Sequence, residues 1–332
     1  MNTDTDTPDP AGTLPATPAR VVLPASFFGI VLGLVGLGND WRGAAATWGL
    51  PGWIGETLML AAAAVWLALV LTYAAKWWLR PADAMAEVRH PVQCCFVSLV
   101  PVSTMLMAIV VLPCCRPLAL VFFGTGAVGS LLFTLYRHGG LLRGGRAPGT
   151  TTPVLYLPTV GGNFVTSIVA GALGWPQWAA LSFGAGLLAW LALESVVLQR
   201  LLNADEMPPA LRPTLGIHLA PPAVGLLAYG GVGQGPPDLF AAMLLGYALL
   251  LCLLLLRLLP WIARQPFGPG YWAFTFGLTA LSAGVQQMAG RGAGTPFELL
   301  APLLFAVANL VVGGLAAASL VALAQGRFLP KA

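Results

Sequence analysis

The apolar positions of this chain fall in long unbroken runs rather than at strand or surface-helix spacing. A bilayer crossing takes about 20 mostly apolar residues. Ten stretches qualify: 24–40, 53–75, 92–112, 117–136, 153–174, 176–199, 213–232, 238–258, 270–289 and 298–324. The gaps between them are short and leave no room for a soluble domain. Residues 1–20, "MNTDTDTPDPAGTLPATPAR", read differently. They are rich in Thr, Pro and Asp, and disorder is expected there. They lack the basic start and apolar centre of a signal peptide. The pattern divides the chain into a disordered start (1–20), a transmembrane unit (21–327) and a short tail (328–332).

The polar positions between the runs set an orientation. With the N-terminus inside, 13 Lys and Arg residues fall on the inner side and 3 on the outer side, namely Arg42, Arg116 and Arg291. That asymmetry follows the positive-inside rule and places both termini in the cytoplasm. It also supports an even number of spans. Trp41, Trp48, Trp53, Trp175 and Trp178 cluster at the outer boundary, and Trp77, Trp78, Trp261 and Trp272 at the inner one, as aromatic belts do.

The runs are of two kinds. Even-numbered ones are smooth, such as "AAMLLGYALLLCLLLL". Odd-numbered ones are interrupted by Gly29 and Gly33, by Pro101, by Pro158, by Pro221 and Pro222, and by Gly277. The breakers at 101, 158, 221 and 277 are 57, 63 and 56 residues apart. A repeat of about 60 residues points to five helical hairpins. Proline frees backbone groups and kinks a helix, and in a bilayer such groups persist only under protein or water. The odd helices are therefore expected to form an inner ring around a pore, with the even helices outside against lipid. The fold class expected is an all-α integral membrane protein.

Composition agrees. Hydrophobic residues make up 58% of the 332 and charged residues 8%, against about 25% charged in a soluble domain. The net charge of +4 belongs to topology markers and not to nucleic-acid binding. The five cysteines, Cys94, Cys95, Cys114, Cys115 and Cys252, form no CxxC and no metal-ligand spacing. No nucleophile arrangement or phosphate loop stands out, so no enzyme, no cofactor and no metal site is expected. No Lys, Arg, Asp or Glu is expected deep in an odd span. A polar contact between Glu194 and His218 is a candidate, each six residues from a flanking arginine. Its plain reading is a structural hydrogen bond, and its sharper one is proton sensing. The remaining pore wall would be Phe, Gly, Ser, Thr and backbone, with Phe28, Phe96 and Asn163 among the lining candidates.

Several of these strings resemble the tellurite-resistance and C4-dicarboxylate transporter family, which includes slow-type anion channels, and are most similar to its bacterial TehA branch. They are "FFGIVLGLVGLGNDWR" (27–42), "HPVQCCFVSLVPVSTM" (90–105), "YLPTVGGNFVTS" (156–167), "LALESVVLQRL" (191–201), "LRPTLGIHLAPPAVGLLAY" (211–229) and "YWAFTFGLTAL" (271–281). The resemblance implies ten helices in five hairpins, a pore through each protomer, a homotrimer, and a phenylalanine of the ninth helix that plugs the pore. By motif position that ring is Phe276. Many relatives carry proline directly after it, where this chain has Gly277, read here as leaving the ring space to turn. The expected role is an inner-membrane anion channel or channel-like transporter for small inorganic or organic anions. The alternative is a proton-coupled transporter of dicarboxylate, sulfite or tellurite.

Overall fold

The computed structural model describes residues 23–145, 147–233 and 235–330, and the expected disorder of residues 1–20 lies outside them. Twelve α-helices follow one another, and no strand occurs among the described residues. They are α1 (Phe28–Trp48), α2 (Gly52–Leu79), α3 (Pro81–Arg89), α4 (Cys94–Val97), α5 (Leu99–Val111) and α6 (Arg116–Leu141). Then come α7 (Gly162–Ala172), α8 (Pro176–Asn203), α9 (Ala220–Val232), α10 (Leu239–Ile262), α11 (Thr275–Gly290) and α12 (Thr295–Ala324). Eight helical segments are long and apolar enough to cross a membrane: 52–79, 94–111, 116–141, 153–172, 176–203, 209–232, 239–262 and 295–324. α1 falls outside that set because Asn39, Asp40 and Arg42 interrupt its apolar run, and the 269–290 segment because Gly, Ser and Thr residues with Gln286 and Gln287 dilute its own.

Burial separates the segments. In 94–111, 153–172 and 209–232, between 61% and 67% of the apolar window is buried; in the other five the share is 17% to 33%. α11 buries 12 of its 16 residues. The exposed side chains of the second group include Leu60, Leu71, Leu131, Leu188, Leu253 and Leu310, a surface fit for acyl chains and not for water. Helices adjacent in sequence pack as pairs: α1 on α2, α5 on α6, α7 on α8, α9 on α10 and α11 on α12. The buried helices also touch in a closed cycle, α1 to α5, α5 to α7, α7 to α9, α9 to α11 and α11 back to α1.

The breakers sit where they cost least. Pro101 is the third residue of α5, Pro221 and Pro222 are the second and third of α9, and Gly277 is the third of α11. In the first turn a proline's missing N–H leaves no helical bond unmade. Each regular helix is preceded instead by a tighter or wider segment. These are 3₁₀ turns at Ala25–Phe27, Pro209–Leu219 and Pro269–Phe274, a π turn at Leu157–Gly161 that contains Pro158, and the break at Ser98 between α4 and α5. The sequence pattern thus marks junctions within the buried segments and not mid-helix kinks.

Small residues let the cycle close. A methyl group on Gly33 would strike Thr275, and one on Gly36 would strike Thr279, so α1 lies flush on α11. A Cβ on Gly277 would lie 3.0 Å from the Ala220 backbone nitrogen, tighter than ordinary contact. Gly277 therefore serves the close approach of α11 to α9. It is buried against backbone rather than open beside a ring.

Candidate permeation site

The five helices of the cycle run the same way, and cavities lie at both of their ends. The larger, about 390 Å³, is lined mainly by their C-terminal halves, through residues such as Asn39, Leu106, Ile168, Leu227 and Ala283. Two smaller ones, about 70 and 30 Å³, lie among the N-terminal junctions. Phe276 lines all three and is the single residue shared between the large cavity and either small one. The two small cavities also share Leu32, Leu99, Leu157, Ile217 and Ala220. Each element of the cycle thus places an apolar side chain beside Phe276, and a narrow apolar ring of this kind obstructs ions by excluding water.

Local structure fixes which ring points inward. Phe274 and Phe276 are two residues apart, about 200° around a helix. Phe274 packs against Gly216 and lines a separate apolar pocket with Cys252, Leu255 and Val311. The hydroxyls near Phe276 are turned back into the helix. Thr275 donates to the Trp272 carbonyl at 2.8 Å, and Thr279 to the Thr275 and Phe276 carbonyls at 3.0 and 3.2 Å.

The large cavity has a basic wall. Its charged lining residues are Arg42 and Arg291, joined by Asn39, Thr279 and Gln287. Arg42 forms a bidentate pair with Glu56, both bonds 2.8 Å, and donates to the carbonyls of Ile109 and Val110 at 2.8 and 3.3 Å. Arg291 donates to the carbonyls of Gly233 and Gly230 at 2.8 and 2.7 Å. It has no carboxylate partner among the described residues.

The other residues singled out from the sequence are dispersed. Gly29 and Phe96 line the 70 Å³ cavity and Pro221 the 30 Å³ cavity. Phe28 is buried edge-on against Tyr73 of α2, and Gly33 lies against Thr275. Pro101 faces the glycines of α6 at Gly126 and Gly129. The Pro158 carbonyl accepts from Thr134 at 2.6 Å. Asn163 donates to the Thr159 carbonyl at 2.7 Å, and Pro222 is buried. Glu194 and His218 do meet, with Nε2 3.3 Å from Oε1. Glu194 also accepts from Tyr156 at 2.7 Å, Trp190 at 2.8 Å and Tyr247 at 2.6 Å. It ties α8, α10 and the Pro209–Leu219 turn together and lines none of these three cavities.

Asp40 is the residue that sequence reasoning passed over. It closes the first apolar run, yet α1 continues to Trp48, eight residues or about 12 Å further. Its side chain is fully buried with the Ser282 hydroxyl of α11 as a long-range donor, and no hydrogen bond of ordinary length reaches either carboxylate oxygen among the described residues. Gln286, one turn beyond, donates to Ser282 at 3.2 Å while its own carbonyl oxygen is unpartnered.

Comparison with known proteins identifies the family. The family model for voltage-dependent anion channels covers residues 22–320. The chain belongs to the voltage-dependent anion channel family. Among individual proteins it is 33% identical over 310 residues to a tellurite resistance protein TehA homolog of Haemophilus influenzae, covering 93% of each chain. It is 27% identical over 177 residues to the guard cell S-type anion channel SLAC1 of Arabidopsis thaliana, covering 53% of this chain and 32% of that one. It is also 26% identical over 228 residues to an uncharacterized transporter of Methanocaldococcus jannaschii, covering 61% and 66%. Membership makes this a membrane anion-channel or transporter chain and fits the absence of catalytic groupings in its sequence.

Proposed function

We propose that the chain is an anion channel of the cytoplasmic membrane, with the permeation path running along the cycle of α1, α5, α7, α9 and α11 and closed by Phe276. The observation that carries this reading is that Phe276 is the one residue that lines both the large cavity and the two small ones. Counting α1 and the 269–290 unit as spans gives ten crossings in five hairpins, an inner ring of five and an outer ring of five. The excess of Lys and Arg on one side supports both termini in the cytoplasm. That puts the large, basic cavity outside. The assembly proposed is a homotrimer, testable by mass measurement of the detergent-solubilised protein. The permeant species are small anions, and the name of the Haemophilus influenzae relative makes tellurite one to try.

The test is chloride flux into proteoliposomes. Wild type should pass little, and Phe276→Ala should conduct in proportion to voltage with no proton gradient. A silent Phe276→Ala protein would remove the gate assignment.

A second reading, proton-coupled transport, is favoured by one observation, the buried Asp40, because ionisable groups at membrane depth are costly and mark coupling sites. It requires that flux through Phe276→Ala depend on a pH gradient and fail in Asp40→Asn. Gradient-independent flux would discard it.

A further inference from the structure

Four of the five buried helices, α5, α7, α9 and α11, bring their C-terminal turns to the large cavity, while α1 passes it and continues to Trp48. A helix C-terminus carries roughly half a negative charge from its unpaired carbonyls. Four such ends around one mouth make a field that repels anions. At the opposite mouth the N-terminal ends carry the reverse sign and attract them, and no charged side chain lines the small cavities. An anion pathway along this cycle therefore needs a correction at one end only.

The three arginines on the sparse side of the charge count sit where that correction is needed. Arg42 donates to Ile109 and Val110 in the last turn of α5. Arg116, the first residue of α6, donates at 2.8 Å to Leu173, which caps α7. Arg291 donates to Gly230 in the last turn of α9 and to Gly233, which caps it. Each arginine comes from a different helix and holds the terminal carbonyls of another.

We propose that Arg42, Arg116 and Arg291 form a collar that offsets the negative helix ends around the large cavity, and that Arg291 is its anion-binding group. The proposal rests on the anion-channel reading and deepens it. The three members are not equivalent. Arg42 spends its charge on Glu56. Arg116 is exposed on the rim and lines none of the three cavities. Arg291 lines the cavity, and it donates to two neutral carbonyls. One acid, Asp238, shares a side pocket with Arg291. Its carboxylate is engaged by the Tyr229 hydroxyl and the Ala241 amide, which hold it below the usual carboxylate range.

The signature of such a group is its dependence on salt. Screening length falls from about 30 Å at 0.01 M to about 3 Å at 1 M, and a basic cleft raises local anion concentration about tenfold or more when screening is weak. Chloride conductance should be measured in Phe276→Ala protein at about 10 mM and about 1 M salt. In the Phe276→Ala parent, conductance at low salt should exceed what proportional scaling from 1 M gives. Adding Arg291→Gln should lower the low-salt conductance about fivefold and the 1 M value by less than about twofold. Arg291→Lys, which keeps the charge, should retain most of it. Arg116→Gln should give a smaller loss with the same salt dependence. An equal loss at both salts, or none, would overturn the collar, as would a parent whose conductance scales linearly with chloride. The parent and Arg116→Gln decide the matter even where Arg291→Gln does not fold. A Phe276→Ala protein that passes no chloride at all would sink the channel reading instead.

Discussion

Glu194 and Asp40 are both acids buried within helices, and they are opposites. Glu194 receives three hydrogen bonds and lies 3.3 Å from His218. Asp40 is fully buried with only the Ser282 hydroxyl as a long-range donor, and no hydrogen bond of ordinary length reaches either oxygen among the described residues. The first belongs to the packing between inner and outer helices. The second lies between α1 and α11, the helix that carries Phe276. Burying a carboxylate is tolerated when donors replace its water and costly when they do not. The difference teaches that the acid with the richest surroundings holds the fold, while the poorest lies against the helix that carries Phe276.

Three substitutions can break or sharpen that contrast, each read by thermal unfolding in detergent. Glu194→Ala should have the largest effect, a loss of about 3–5 kcal/mol, because Tyr156, Trp190 and Tyr247 lose their acceptor together. A loss under about 1 kcal/mol would remove Glu194 from its structural role. Asp40→Asn should go the other way and raise stability by about 1–2 kcal/mol, by relieving an uncompensated carboxylate. Destabilisation by that substitution would mean that Asp40 has a partner in the membrane that the described residues do not supply. Tyr247→Phe should cost about 1 kcal/mol, since Glu194 keeps its other donors.

Much of the fold was legible because membrane constraints write themselves into composition. The apolar runs and the breakers follow from the need to satisfy backbone groups without water. The breakers named the right segments but not the right event, since Pro101, Pro221 and Gly277 open helices rather than bend them. Phe276 was reachable through its motif. The apolar ring of Leu32, Leu99, Leu157 and Ile217 was not, because leucine is everywhere in such a chain. Its one signal is position, each of the last three lying one to four residues before a breaker. Asp40 stayed hidden because "NDWR" reads as the end of a span. Only the continuation of α1 through Gly43 to Trp48 carries it inside. The arginines were counted as topology markers, and their carbonyl acceptors lie 57 to 68 residues away in sequence, beyond any local pattern.

The tight seat of α11 has a kinetic consequence. Gly277 presses its backbone on Ala220, and Gly36 presses α1 on Thr279 from the other side. Sliding or tilting α11 would force these close contacts apart. For a gate carried by Phe276, that leaves rotation about χ1 and χ2 as the cheap motion. Side chains change rotamer in picoseconds to nanoseconds when unhindered, so opening without any other event would be brief flicker, far faster than a single-channel record resolves. Long openings would then report whatever holds the ring in its second rotamer, and their duration, rather than the height of the steric barrier, is where regulation of this protein would be written.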